Sequence, residues 1–483
     1  MSSYNDRGGR RPWRVSSGST SSRGPIRTPP APPLGLLLEQ MISAQCSDDD
    51  NGAQDKLGIT DTKFLASYYW TNAINSSILF PGTPPLWDPP AEATRLPEDS
   101  GKYFKDQNAA RHPTHPMEPA VKAVLTQNLH FDTGNVDVFG CTSTLGNLLR
   151  FLKNDDKPFR FTVEALGQTV FFVRRENAPD ELIAGPRGFG PTGHGIMIPS
   201  SLRLKLFEAD SRSAIGHAFP DRYTRWPKGV ENSASHQRII SYKFAGLRCL
   251  VRFEADGYLE KELGRGYEDD TTISSGDDDD AARAIPVIDN VQTHNGGRLT
   301  PQHVIFELKT RGAHKKNDDQ MYDHLPRMWQ AQIPFFILAF HEYGLFKPAD
   351  ITIQDVRKKV AAWQDKNQQL LRRLSVLLGK LVSIARDPAI GRYEVCVQQR
   401  GVLEIREPGG TVLSLLASPL TWIWADQDVS DSGESSNGVS VGTKAGDADV
   451  AAHSDADDDD VPEDFTACTD ACDYFGRCSY KLR

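Results

Sequence analysis

The sequence predicts an α/β protein in which a mixed β-sheet is flanked by helices and each end is a disordered tail. Three observations carry that class. First, two segments, Phe253-Glu254-Ala255-Asp256 and Phe306-Glu307-Leu308-Lys309-Thr310, lie in stretches rich in aromatic, aliphatic and β-branched residues and read as strands. Second, Val356, Val360, Trp363, Leu370, Leu374, Leu377 and Leu381 recur at helical spacing and predict one helix over 355–386. Third, the ends differ from the body. Residues 1–35 hold six Arg and one Asp among Ser, Gly and Pro, and residues 425–464 hold eleven Asp, two Glu and one Lys. Such compositions cannot bury enough apolar surface to order a chain.

Order is therefore expected to begin near Leu57 and to end near Trp424. That divides the chain into a basic arm (1–56), a folded body (57–424), an acidic linker (425–464) and a Cys-containing tail (465–483). Along the body, the Pro-rich stretch 80–97 reads as an extended surface segment. Residues 119–129 read as a helix with Ala120, Val121, Val124 and Leu125 inward, and 159–163 and 169–175 as paired strands around Gly167. The Gly-rich stretch 185–195 lacks the lysine and the strand-to-helix context of a phosphate loop. Beyond the second motif come a polar loop (312–319), a helix (321–332) and a buried strand (335–340). After the helix over 355–386, strands are expected at 393–398, 402–406 and 412–416, and no internal repeat is present.

The net charge of −9 is a property of the tails, because removing both leaves about −2. An acidic total therefore does not exclude a nucleic-acid substrate. No run of eighteen apolar residues occurs, so no membrane span is expected. Seven Cys without an apolar signal peptide argue for a reducing compartment, nucleus or cytoplasm. The Arg- and Ser-rich start keeps a mitochondrial transit peptide open, although its Pro and Gly would break an amphipathic helix. A nuclear signal or an arm that touches RNA fits the same composition.

The two motifs carry the chemistry. Side chains alternate along a strand, so Glu254 and Asp256 should share one face, as should Glu307 and Lys309. The opposite faces are apolar: Cys249, Val251 and Phe253 on the first strand, Val304, Phe306 and Leu308 on the second. If the two strands pair, three carboxylates and one amine converge. Carboxylate oxygens suit Mg²⁺ or Mn²⁺. A bound ion acidifies water and neutralises charge on an attacked phosphate, while a lysine nearby stabilises charge that builds on the phosphoryl oxygens. The plainer reading is a set of surface charges on amphipathic strands, and Phe207-Glu208-Ala209-Asp210 shows how easily the first motif recurs. The acidic runs at 277–280 and 457–460 read as solvated chain, and no DDxxD motif of prenyl-diphosphate enzymes is present.

Glu254-Ala255-Asp256 with Glu307-Leu308-Lys309 resembles the PD-(D/E)XK nuclease superfamily, most nearly the DXO-type decapping exonucleases with their EhD and EhK motifs. Leu325-Pro326-Arg327-Met328-Trp329-Gln330-Ala331-Gln332 with 335–340, and Glu407-Pro408-Gly409-Gly410-Thr411-Val412, resemble that family's later helix, strand and hairpin. The resemblance spans about 136–424 and makes 57–424 a nuclease-like domain. It implies Glu254, Asp256, Glu307 and the Leu308 carbonyl as metal ligands, Lys309 at the scissile phosphate and Gln332 beside the substrate. The implied activities are decapping, 5′ pyrophosphate release and 5′→3′ degradation of single-stranded RNA, with an exoribonuclease as an implied partner. The family's GxxFE glutamate has no direct match. Its best spelling, Gly216-His217-Ala218-Phe219-Pro220, ends in proline, which leaves Asp221 or Glu208 as substitutes. The upstream WRG arginine also lacks a match near Gly140-Cys141-Thr142-Ser143.

Cys468, Cys472 and Cys478 resemble the terminal cysteines of AddB-type iron–sulfur nucleases, with Cys141 as the distant fourth. Four thiolates would hold [4Fe–4S] or Zn²⁺, against the alternative of chance cysteines in a frayed end. Cys249 and Cys396 read as core, His217 and His236 as structural or surface residues, and Tyr223, Arg225 and Trp226 as core or as a base-stacking surface. The competing readings are an RNA 5′-end nuclease, a DNA exonuclease with an iron–sulfur staple, and an inactive nucleic-acid-binding scaffold.

Overall fold

The computed structural model describes residues 32–46, 56–71, 77–97, 102–104, 115–155, 157–175, 182–184, 218–231, 233–264, 291–317, 319, 321–410 and 414–425. The α/β class is observed. Among the described residues an eleven-stranded mixed sheet runs in the order Leu37–Ile42, Val402–Arg406, Arg392–Gln399, Phe159–Leu166, Thr169–Arg174, Val138–Cys141, Leu247–Glu254, Ser233–Phe244, Ile59–Thr71, Ser77–Pro81 and Gln292–Gly296. A seven-stranded sheet runs Thr224–Arg225, Leu86–Trp87, Gly257–Tyr258, Ile305–Gly312, Phe335–Glu342, Leu345–Asp355 and Thr94–Arg95. A small ribbon pairs Leu182–Ala184 with Lys102–Phe104. The helices are α1 (Glu118–Gln127), α2 (Thr142–Leu152), α3 (Ala218–Tyr223), α4 (Leu325–Ala331), α5 (Arg357–Lys366), α6 (Gln368–Ala385) and α7 (Ser418–Ala425).

Burial divides along the sheet faces. The largest apolar cluster packs Leu145, Leu148 and Leu149 of α2, Met328 and Trp329 of α4, Trp363 of α5, and Leu374, Leu377 and Leu381 of α6 against Val251, Phe253, Phe336 and Leu338. A second cluster joins α1 to Phe139, Ile239 and Leu250. A third places Phe219 and Tyr223 of α3 against Phe306, Leu308 and Phe346. Phe306 and Leu308 thus turn away from the first cluster, and strand alternation turns Glu307 and Lys309 toward the side that carries α4.

Several expectations are corrected. The helix over 355–386 is two helices, because Asp355 ends a strand and Asn367 (φ −105°, ψ 25°) breaks the run. The Asn367 amide donates to the Trp363 carbonyl at 2.7 Å and so competes with the helix ladder. The segment 80–97 is largely exposed from Asp88 onward, but its first part is not a surface strip. Residues 82–85 are buried, Tyr258 N–H donates to the Pro85 carbonyl, and Trp87 lies against Phe306 with ring centroids 5.8 Å apart. Order also extends upstream of Leu57, where Leu37–Ile42 pairs antiparallel with Val402–Arg406. No strand forms over 414–416, where Leu415 and Leu416 are buried instead, while 411–413 lie outside the described residues.

An electrostatic clasp fixes this early segment. Glu394 is fully buried between Arg160 and Arg175. Arg160 also donates to the carbonyls of Pro32 and Pro33, and Arg175 to that of Gly409. Burial lowers the Arg175 pKa to about 10. Glu394→Ala would leave two guanidinium groups buried without their carboxylate, so urea unfolding should show a loss of about 3–5 kcal/mol. A loss below about 1 kcal/mol, the scale of a solvated pair, would show that the clasp is hydrated.

Candidate active site at the seam of two sheets

The two motif strands do not pair directly. Leu247–Glu254 belongs to the large sheet, where it forms a hairpin with Ser233–Phe244 through Ala245 and Gly246, both at positive φ (50° and 80°). Ile305–Gly312 belongs to the smaller sheet. What joins them is the chain just after Glu254. Ala255 and Asp256 leave the large sheet, and Gly257–Tyr258 enters the smaller one antiparallel to Phe306 and Ile305. Gly257 is sterically required, because a β-carbon there would strike the Phe306 ring and the Pro85 carbonyl. This close approach lets Asp256 Oδ2 accept the Leu308 N–H at 2.6 Å.

Around that contact lies a buried charged cluster. Glu307 is 0% exposed, with Lys309 Nζ at 2.6 Å from Oε1 and Arg327 Nε of α4 at 3.1 Å from Oε2. One further alternation along the strand, Arg311 approaches Nε2 of His324 at 3.1 Å. Burial, and then the Glu307 charge beside it, raise the Asp256 pKa to about 7. Burial alone would raise Glu307 too, but Arg327 and Lys309 outweigh it and hold that carboxyl below its usual range. Burial first, then Lys309 and Arg311, push His324 far down, so its ring is neutral at ordinary pH. Two adjacent buried carboxylates suit a hard divalent cation, which would relieve the repulsion between them.

The structure brings together Asp256, Glu307, Leu308 and Lys309. Glu254 ends its strand opposite Gln237, on the face shared with Leu250 and Arg252, and is half-buried. Strict alternation stops there, so the expected shared face with Asp256 is not imposed by a strand. Among the described residues no group of three or more His, Cys, Asp or Glu side chains is placed to hold a metal ion. Asp221 is exposed on α3, which packs against the opposite face of the smaller sheet, and Glu208 lies outside the described residues.

Gln332 stands at the end of α4 in the left-handed conformation (φ 50°), and its amide donates back to the Trp329 carbonyl at 2.5 Å. Gln330 is the buried glutamine, 2% exposed and one turn beyond Arg327, and its amide nitrogen has no partner among the described residues. Arg311, His324, Arg327 and Gln330 were not singled out from the sequence. The alternation of Glu307, Lys309 and Arg311, and the i, i+3 spacing of His324, Arg327 and Gln330, were the available signals.

Cys141 is buried at the start of α2, with its Sγ 3.0 Å from Ser143 Oγ, while Cys468, Cys472 and Cys478 lie outside the described residues. Burial drives Cys249 up to about 12, in keeping with a core thiol. His236 is buried, its pKa lies far down, and neither ring nitrogen has a partner among the described residues. Tyr223 is core, stacked on Phe219 at 4.0 Å, whereas Arg225 pairs with Asp88 on the surface.

A family model described as "Domain of unknown function (DUF8563)" matches residues 53–195 and 200–403, more than half of the chain. This chain belongs to the DUF8563 family. Both motif strands and α4 lie in the second DUF8563 segment. No curated protein matches the chain. Among solved structures, this DUF8563 chain is similar to Scheffersomyces stipitis Rai1 in complex with (3′-NADP)+ and calcium ion, at 11% identity and TM-score 0.49, over 82% of this chain and 99% of that one. It is also similar to Candida albicans Rai1 in complex with pU5-Mn2+ (11%, TM-score 0.49, 79% and 98%). A third similar structure is K. lactis Dxo1 in complex with manganese (10%, TM-score 0.43, 78% and 100%). No described helix is long and apolar enough to cross a membrane.

The raised Asp256 pKa gives a signed pH dependence. The folded state holds a proton that the unfolded state releases between the ordinary value of 3.8 and about 7, so this group lowers stability as pH rises through that window. Asp256→Asn keeps an oxygen for the Leu308 N–H and removes the titration. Unfolding free energy measured across the window should fall less with pH in the variant, which should exceed the native protein on the alkaline side. Parallel curves would contradict the assignment.

Proposed function

We propose that this chain is a metal-dependent hydrolase of RNA 5′ ends, with Mg²⁺ or Mn²⁺ as its cofactor. The observation that supports it most is the meeting of Asp256, Glu307 and Lys309 at the seam, where two carboxylates and an amine lie in one buried cluster. The carboxylates of Asp256 and Glu307 would hold the ion, with Glu254 and the Leu308 carbonyl as further donors. When bound, the ion would supply an acidified water and neutralise charge on the phosphate. Lys309, buried and already oriented by Glu307, would stabilise charge on the phosphoryl oxygens. Decapping, pyrophosphate release and 5′→3′ digestion are the activities that the motif resemblance supports, with an exoribonuclease as a candidate partner.

A second reading has its own observation. Both Glu307 oxygens face cations within the chain, and among the described residues Glu254 does not join Asp256 and Glu307 in one group of three. That favours a scaffold that binds nucleic acid without cutting it.

Capped, 5′-triphosphate and 5′-monophosphate RNA, beside single-stranded DNA, should be assayed with Mg²⁺ and with Mn²⁺. RNA cleavage that chelation abolishes is expected, and Lys309→Ala should lower its rate by roughly 10²–10³-fold. Cleavage of DNA alone would replace the RNA reading. Binding with no cleavage of any substrate would select the scaffold.

A further inference from the structure

Arg327 has no place in the metal and phosphate roles assigned above, yet it occupies the carboxylate most needed for the ion. We propose that Arg327 is an exchangeable occupant of Glu307, displaced when a divalent cation binds and then free to take an RNA phosphate. The inference rests on the metal-dependent reading.

The two cations on Glu307 are not equivalent. The Lys309 side chain is 1% exposed, whereas that of Arg327 is 19% exposed and reaches Glu307 from α4 through Nε at 3.1 Å. Arg327 therefore has a route toward solvent that Lys309 lacks. Charge favours the exchange. Asp256 and Glu307 are both influenced by Lys309 and Arg327, two carboxylates against two cations, and buried Arg311 adds a further positive charge beside them. Adding a divalent ion leaves an excess of positive charge in a water-poor place, and the more exposed monovalent cation is the one that can leave. A guanidinium released there matches a phosphate through two parallel donors. The helix would not need to move, because the long side chain supplies the swing. In this scheme Arg327 competes with the metal before substrate arrives and helps hold substrate afterwards.

Manganese binding tests the exchange without relying on turnover. The resonance signal of free Mn²⁺ would be followed as it is titrated into full-length protein, Arg327→Gln, Arg327→Lys and Glu307→Gln. Arg327→Gln should bind Mn²⁺ about tenfold more tightly, through loss of the competitor, while its affinity for 5′-monophosphate RNA falls by about tenfold. Arg327→Lys keeps the charge and should stay near the native Mn²⁺ affinity, and Glu307→Gln should weaken binding. Unchanged or weaker Mn²⁺ binding in a folded Arg327→Gln protein, beside normal native binding, would overturn the exchange and leave the metal-dependent reading standing. Failure of the native protein itself to bind Mn²⁺ would overturn both.

Discussion

The hydrogen bond from Leu308 N–H to Asp256 Oδ2, at 2.6 Å, is the contact on which the candidate site depends. It ties the exit of one sheet to the middle of another. The short pairing of Gly257–Tyr258 with Phe306 and Ile305 brings the two acidic motifs side by side, and this bond fixes the Asp256 carboxylate within that approach. With the Asp256 carboxyl ionised such a bond contributes about 1.5–3 kcal/mol, and less while the carboxyl holds its proton. More important, it sets where a carboxylate stands relative to Glu307.

Burying this many charges is costly unless they compensate one another. Glu307 succeeds because Lys309 and Arg327 flank it, and Asp256 shows the remaining tension in its raised pKa. Neutral His324 lets Arg311 be buried nearby without adding a further positive charge to the cluster. Such an arrangement compensates its own charges as it stands.

Much of this was legible in the sequence. The alternation of Phe306 and Leu308 with Glu307 and Lys309 defines the two faces of that strand, and 335–340 reads as a buried strand, although its pairing with Ile305–Gly312 is visible only in the structure. The helical repeat over 355–386 was also visible, although periodicity does not register a one-residue break such as Asn367. The rest depends on contacts between distant segments. Gly257 looks ordinary until Phe306 and Pro85 are beside it. Arg327 and Gln330 gain meaning only once α4 lies over the Glu307 face, and choosing between Gln330 and Gln332 requires knowing where that helix ends. Leu37–Ile42 has too few residues to declare itself a strand before Val402–Arg406 is there to receive it.

The missing side chain at position 257 acts as a gauge for the whole centre. Its two would-be obstacles sit on different segments, so room for even a methyl group could come only by spreading them apart. Spreading them would lengthen the reach from Asp256 to its backbone donor. Sterics therefore dictate how closely the acidic pair can be held, and charge compensation governs only what surrounds it. Drift in the flanking cations can be rebalanced by other residues, whereas nothing elsewhere in the chain can substitute for an absent β-carbon.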